Sequence, residues 1–193
     1  MELLTKTTWE EVFDGWRKRE ANNPGWIETA TKIKGWPDWE SWRRFTASQI
    51  RADKLIWGKY KFTNPLVEIS SMLVGPYTGW QSMLLNKNIS SFNDLLEIPE
   101  RYNQFREHDT VVSIMNSMPF DTEFIGLLRK DNNKIVCLEG HHRAVAIALA
   151  KKLNKKIDFS KANIIISLAH LSEKDNYLLD DTLKRGSSKN PKE

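Results

Sequence analysis

Cysteine is almost missing from this chain: Cys137 is the single one in 193 residues. No disulfide can close within the chain, and no cysteine-rich metal site can form. A lone thiol fits a reducing compartment, so a cytoplasmic protein is expected. The start, MELLTKTTWEEVFDGW, has no basic stretch followed by a continuous apolar run, so no signal peptide is expected. No apolar run approaches the ~18 residues of a membrane-spanning helix, so no membrane partner is expected. The glycines form neither a Walker-type phosphate loop nor a Rossmann fingerprint. A strong charge bias is also lacking. The formal charge of +4 is compatible with a phosphate-bearing partner and does not require one. Histidines and acids do not recur at metal-ligand spacing: His108-Asp109 and His170 stand far apart, and no protein-built metal site is expected.

Tryptophan, by contrast, is abundant and unevenly placed. Seven of the eight lie in residues 1–57, and Trp80 is the last. In TWEEVFDGWRKRE, residues Trp9, Val12, Phe13 and Trp16 repeat at helical spacing, with Thr8 as N-cap and Glu11 as its capping-box partner. A second helix is expected over PDWESWRRFTASQIRADKLIWGKY, with Pro37 in the first helical position, burying Trp39, Trp42, Phe45 and Ile50. Residues 64–80 read as loops around a short element. Short helices are expected over SSFNDLLEIP, capped by Ser90 or Ser91, and over HDTVVSIMNSMP. EFIGLLRKDNNKIVCLEG reads as a β-hairpin turning at Asp131–Asn133, followed by a helix over 141–153 and a buried strand over 163–171. The tail from Lys184 is polar and expected to be disordered. The chain is thus expected to be α+β. Residues 1–92 would form a mainly helical, Trp-rich N-terminal extension, residues 93–183 the mixed-sheet domain, and residues 184–193 the tail.

Chemistry concentrates at one joint. Ile135–Leu138 is an apolar run. It meets Glu139, Gly140, His141, His142 and Arg143, and then an unbroken apolar stretch from Ala144 to Ala150. The first turn of a helix has unpaired N–H groups and the positive end of the dipole, which suits anions. Gly140 permits close approach and unusual backbone angles. Arg143 supplies a planar fork of donors for phosphate oxygens, and the two imidazoles add donors. Glu139 is an acceptor or base beside them. The plain alternative is a strand-to-helix turn in which Arg143 pairs with Glu139. Arg43, Arg44 and Arg51 are candidates to line the same pocket from the N-terminal half.

The order of these elements and the EGHHRAVAIALA segment resemble the ParB/sulfiredoxin superfamily over about residues 95–171. Its members open a helix with a Gly-x-x-Arg loop after a hairpin. Sulfiredoxins place a nucleophilic cysteine where His141 stands, so sulfinic acid reduction is not expected. Partition proteins carry Gly-Glu-Arg-Arg and a further DNA-binding module. Only about twenty residues follow the last strand, so that role is not expected. The free-serine kinases carry Asp-Gly-His-His-Arg, which Glu139–Arg143 matches apart from Glu for Asp. The resemblance implies that Gly140, His141, His142 and Arg143 hold nucleotide phosphates, of ATP, ADP or CTP with Mg²⁺. It implies that Glu139 orients a metal or the attacking hydroxyl. It also implies a general base among Glu97, Glu100 and Glu107, with Glu100 the first choice. The function expected is nucleotide or phosphate-ligand binding, by a nucleotide-dependent small-molecule phosphotransferase or a nucleotide hydrolase. The alternatives are a non-catalytic nucleotide-sensing or nucleic-acid-binding module, or a nuclease.

Overall fold

The computed structural model describes residues 1–184 and 189–190. In chain order the elements are β1 (Glu2–Thr7), α1 (Trp9–Glu20), α2 (Pro24–Glu28), α3 (Trp39–Gln49), β2 (Trp57–Lys61), α4 (Pro65–Ser70), α5 (Thr78–Gln81), α6 (Phe92–Glu97), α7 (Pro99–Arg106), α8 (Asp109–Ser117), β3 (Thr122–Arg129), β4 (Lys134–Glu139), α9 (His141–Lys152), β5 (Ile164–Leu171) and α10 (Tyr177–Lys184). The five strands form one mixed sheet in the order β1-β2-β5-β3-β4. β3 and β5 run parallel, and the other three pairings are antiparallel. The chain is therefore α+β, as expected. Among the described residues no helix is long and apolar enough to cross a membrane.

Local signals explain most of the helix starts. Thr8 and Glu11 form a reciprocal capping box at α1, with the Glu11 N–H donating to Thr8 Oγ1 over 3.3 Å and the Thr8 N–H to Glu11 Oε2 over 2.9 Å. Ser91 and Asp94 do the same at α6. The helix expected over 37–60 begins instead at Trp39 and ends at Gln49, and residues 57–60 at its expected end belong to β2. Asp38 takes the cap position, its carboxylate accepting from the Ser41 N–H at 2.6 Å. An aspartate cap satisfies a first-turn donor that a proline start leaves open. Phe45 is only half-buried; Trp39 and Trp42 form the buried stripe, with Ile50 buried just beyond the helix.

The sheet is covered on both faces. Strand residues alternate between the layers, as a period of two requires. Phe124, Ile135, Cys137, Ile166 and Leu168 face the layer of α4 and α6–α9. Ile125, Leu127, Val136, Leu138, Ala169 and Leu171 face the layer of α1, α3 and α10, which holds Trp9, Trp16, Trp39, Trp42 and Trp57. Ala144, Ala146, Ala148 and Ala150 are all buried, so α9 sits close to its neighbours, chiefly α4 and α8.

Residues 1–92 are mainly helical but also supply β1 and β2, which the sequence reading missed. They close one end of the same sheet to which the hairpin belongs, so the Trp-rich half is a second layer over a shared core. α10 was also unforeseen. The expected disordered tail, 184–193, lies largely outside the described residues. Lys184 closes α10, and Asn190 donates to Lys34 O at 2.8 Å and to Gly35 O at 2.9 Å.

Candidate functional site

β4 ends at Glu139, and the chain turns into α9 through Gly140 at φ +104°. Only glycine fits here. A Cβ on Gly140 would come within 2.4 Å and 2.8 Å of the Phe124 ring. No side chain caps α9, so the N–H groups of its first turn are left for another acceptor. This joint forms one wall of a cleft of about 570 Å³. The other wall comes from α1, α2 and α3 through Trp16, Glu20, Trp26, Trp42 and Arg43. Tyr77 and Trp80 close it from α5 and the residue before it.

The four expected phosphate-binding residues all line this cleft, but they differ in availability. His141 is buried at 7% exposure. Its Nε2 accepts from the Gly75 N–H at 3.1 Å, and its ring stacks on Trp80 at 4.8 Å. Because Nε2 is an acceptor, the proton sits on Nδ1, 3.9 Å from Cys137 Sγ. Burial, aided by His142, Arg43 and Arg143, pushes its pKa down to about 3. His141 is therefore a neutral imidazole in the cleft wall, tied to the Gly75 N–H. His142 is half-buried, edge-on to Trp80 at 5.3 Å and 5.5 Å from His108. Burial first, then His108 and Arg143, lower its pKa.

Arg143 donates through Nη1 to Thr122 Oγ1 at 2.6 Å and to Glu123 O at 3.2 Å, and through Nη2 to Glu139 Oε1. Its guanidinium lies 5.3 Å from the Phe124 ring centroid. The pairing of Arg143 with Glu139 is the plain alternative raised by the sequence, and it is realised. It also fixes both groups at the cleft. Cys137 donates to Glu139 O at 3.3 Å, and burial pushes its thiol well up, so it is no nucleophile.

Glu100 does not belong here. It is exposed on α7 and absent from the cleft lining, so the fold does not bring it to Glu139–Arg143. Glu107 is exposed as well, and Glu97 pairs with Lys152 at 2.7 Å. The acid that does face Glu139 is Glu20, at the end of α1, and sequence reasoning missed it. Glu20 Oε2 accepts from Trp16 Nε1 at 2.8 Å and lies 3.5 Å from Arg43 Nη2. Burial and the adjacent Glu139 carboxylate raise its pKa to about 7, against the opposing pull of Arg43 and Trp16.

Of the three arginines named from the N-terminal half, only Arg43 lines the cleft. Its guanidinium sits 3.8 Å from the Trp42 ring centroid, 4.9 Å from Trp16 and 5.0 Å from Trp26. Arg44 pairs instead with Glu10 and Glu40 over Phe13, and Arg51 packs over Tyr177. Arg19 and Lys34 also line the cleft, so its four Lys and Arg side chains outnumber two carboxylates. Arg19 is held by Glu123 at 2.8 Å. Among the described residues no group of three or more His, Cys, Asp or Glu is arranged to hold a metal ion.

No family model matches the chain, and neither a curated protein nor a solved structure matches it.

Proposed function

We propose that the cleft binds a nucleotide or other phosphorylated small molecule, with a phosphate group at the first turn of α9. The observation that carries this reading is the uncapped start of α9, opening into a cleft whose cations outnumber its acids. Helix N–H groups and guanidinium forks both favour a phosphate over neutral ligands. Trp26, Trp42, Tyr77 and Trp80 give the cleft aromatic walls, with Arg43 over the Trp26 and Trp42 rings and His141 and Phe105 stacked on Trp80. Its volume falls in the range of small-molecule sites, which favours a nucleotide over a nucleic-acid strand. Within the expected ParB-like family the reading is that of a nucleotide-dependent phosphotransferase or nucleotide hydrolase.

For the Mg²⁺ that accompanies nucleotides in that family, no group of three or more His, Cys, Asp or Glu among the described residues is arranged to hold it. Glu20 and Glu139 are each engaged by an arginine. An ion would travel with the phosphates and keep most of its water.

The test is a thermal-shift panel of ATP, ADP, CTP, GTP and pyrophosphate, with and without Mg²⁺, on wild type and Arg43→Ala. A ligand at about 100 times its Kd adds about 2.7 kcal/mol. The expected result is a shift with one of these ligands that shrinks in the variant. No shift with any of them in a well-folded protein would overturn the reading.

A further inference from the structure

Three of the cations that line the cleft are matched by a carboxylate: Arg19 by Glu123, Arg43 by Glu20 and Arg143 by Glu139. Lys34 is different. Among the described residues its ammonium has neither a carboxylate nor a hydrogen-bond partner. Its backbone is nevertheless held on both sides. The Lys34 N–H donates to Thr29 O at 3.0 Å, and Lys34 O accepts from the Asn190 N–H at 2.8 Å. Beside this lysine the cleft adjoins a side pocket of about 80 Å³, which shares Lys34, Thr46 and Tyr77 with it. None of residues 139–143 lines the side pocket; α3 and α10 supply Gln49 and Thr182 instead. Gln49 is buried at 7% exposure, and among the described residues its carboxamide has no hydrogen-bond partner. The amide is not sealed inside the protein, so it opens onto the pocket that Gln49 lines. The hydroxyls of Thr46, Tyr77 and Thr182 already donate to Trp42 O, Leu138 O and Leu178 O. The Lys34 ammonium and the Gln49 amide are uncommitted.

We propose that the side pocket is a second anion subsite, in which Lys34 and Gln49 bind a carboxylate or phosphate group of the cleft's ligand. The ligand then carries two anionic groups, one at the start of α9 and one at Lys34. This deepens the phosphate reading above and rests on it. Both uncommitted groups are donors, and carboxylates and phosphates are rich in acceptors. A buried amide is costly without a partner, and a cavity of this size has room for one. Water would satisfy the amide but not the charge. Burial, then Lys189 and Arg43, press the Lys34 pKa down, and an anion against the ammonium reverses that pressure. A ligand with one anionic group can hold only one end, so the second contact selects against it. Lys34, Gln49 and Thr182 all lie outside residues 95–171, so this subsite belongs to the parts of the chain that the ParB-like resemblance does not cover.

The experiment measures Kd by calorimetry on the full chain for inorganic phosphate, pyrophosphate, tripolyphosphate and phosphoglycolate, in wild type, Lys34→Gln and Gln49→Leu. The Lys34 amine is titrated by NMR on ¹³C-lysine-labelled protein, its signal identified by its loss in Lys34→Gln or Lys34→Arg. In wild type at least one bis-anion should bind about 10-fold or more tighter than inorganic phosphate, the strength of one charge-assisted hydrogen bond. In Lys34→Gln and Gln49→Leu that advantage should shrink to about 2-fold or less, with the Kd for inorganic phosphate little changed. The Lys34 titration should move to higher pH with that bis-anion. A gain confined to the polyphosphates makes the second group a phosphate, and a gain confined to phosphoglycolate makes it a carboxylate; either supports the subsite. A bis-anion advantage that survives in Lys34→Gln, or a Lys34 titration that no probe moves, would overturn it, even if Gln49→Leu failed to fold. Inorganic phosphate that binds as tightly as every bis-anion removes the second subsite and leaves the first standing. If no probe binds at all, the phosphate reading falls and the subsite with it.

Discussion

The backbone N–H of Gly75 donates to Nε2 of His141 across 3.1 Å, tying the segment before α5 to the first residue of α9. The contact fixes the imidazole as a neutral acceptor and explains why the two segments lie so close. A Cβ on Gly75 would come within 2.1 Å of Cys137 O and 2.7 Å of that same Nε2.

The pH dependence of stability follows from this histidine. Its folded pKa, about 3, lies below the ordinary 6.5. The unfolded chain therefore binds the extra proton first as pH falls. The stability it contributes is complete above about pH 6.5 and drains away toward pH 3, by several kcal/mol in total. Urea unfolding at stepped pH should show this loss in wild type and a shallower one in His141→Gln. Equal slopes in the two proteins would place the acid sensitivity elsewhere.

Glu20 works in the opposite direction. Its folded pKa, about 7, lies above the ordinary 4.5. The folded chain holds the proton longer, so this contribution is complete below about pH 4.5 and is lost as pH rises to about 7. Glu20→Gln should therefore gain on wild type across that window, by on the order of 2 kcal/mol. Comparison of denaturant midpoints at about pH 5 and pH 8 measures it. A difference between the two proteins that stays constant with pH would remove Glu20 as its source. Between about pH 4.5 and 6.5 the histidine and the glutamate partly cancel in wild type.

Gly140→Ala combines a positive φ with a Cβ driven into the Phe124 ring. A loss of about 2–4 kcal/mol is expected from chemical denaturation. Gly79→Ala is the control, since a Cβ there meets nothing within 4 Å. It should stay within about 0.5 kcal/mol of wild type.

Arg143→Ala would strip Glu139 of its partner and leave Thr122 Oγ1 and Glu123 O without their donor. Thermal melts should show a loss of about 2–4 kcal/mol and a smaller pyrophosphate-induced shift. Glu100→Ala, on the exposed face of α7, should change neither quantity by more than about 0.5 kcal/mol. A lost ligand shift in Glu100→Ala would bring α7 into the site.

Local patterns made half of this architecture readable. The capping box at Thr8, the cap at Ser91, the hairpin around Asp131–Asn133 and the apolar run of α9 all depend on residues within a turn or two of one another. β1 was hidden because ELLTKT is largely exposed and has no apolar alternation. β2 was hidden because WGKYK puts a glycine and two lysines among its five residues, and its pairing with β5 comes from over a hundred residues away. The cleft divides the same way. Glu139, Gly140 and Arg143 were visible as a cluster in sequence. Glu20 reads as one more acid in WRKRE until the sheet brings β4 against α1. The surroundings of His141 were not legible because Gly75, Trp80 and Phe92 build them, none of them near it in the chain.

The position of β5 has a consequence for how the chain comes off the ribosome. β5 is central, between β2 and β3, yet it is the last strand to be made. At about 5–20 residues per second, β2 waits roughly 5 to 20 s before its second neighbour exists. Through that interval the Trp-rich half has one side of its ribbon unpaired and much of its aromatic face uncovered. A nascent chain stalled before residue 164 should accordingly be protease-sensitive and chaperone-bound, and the sheet should close in a single late step once β5 emerges.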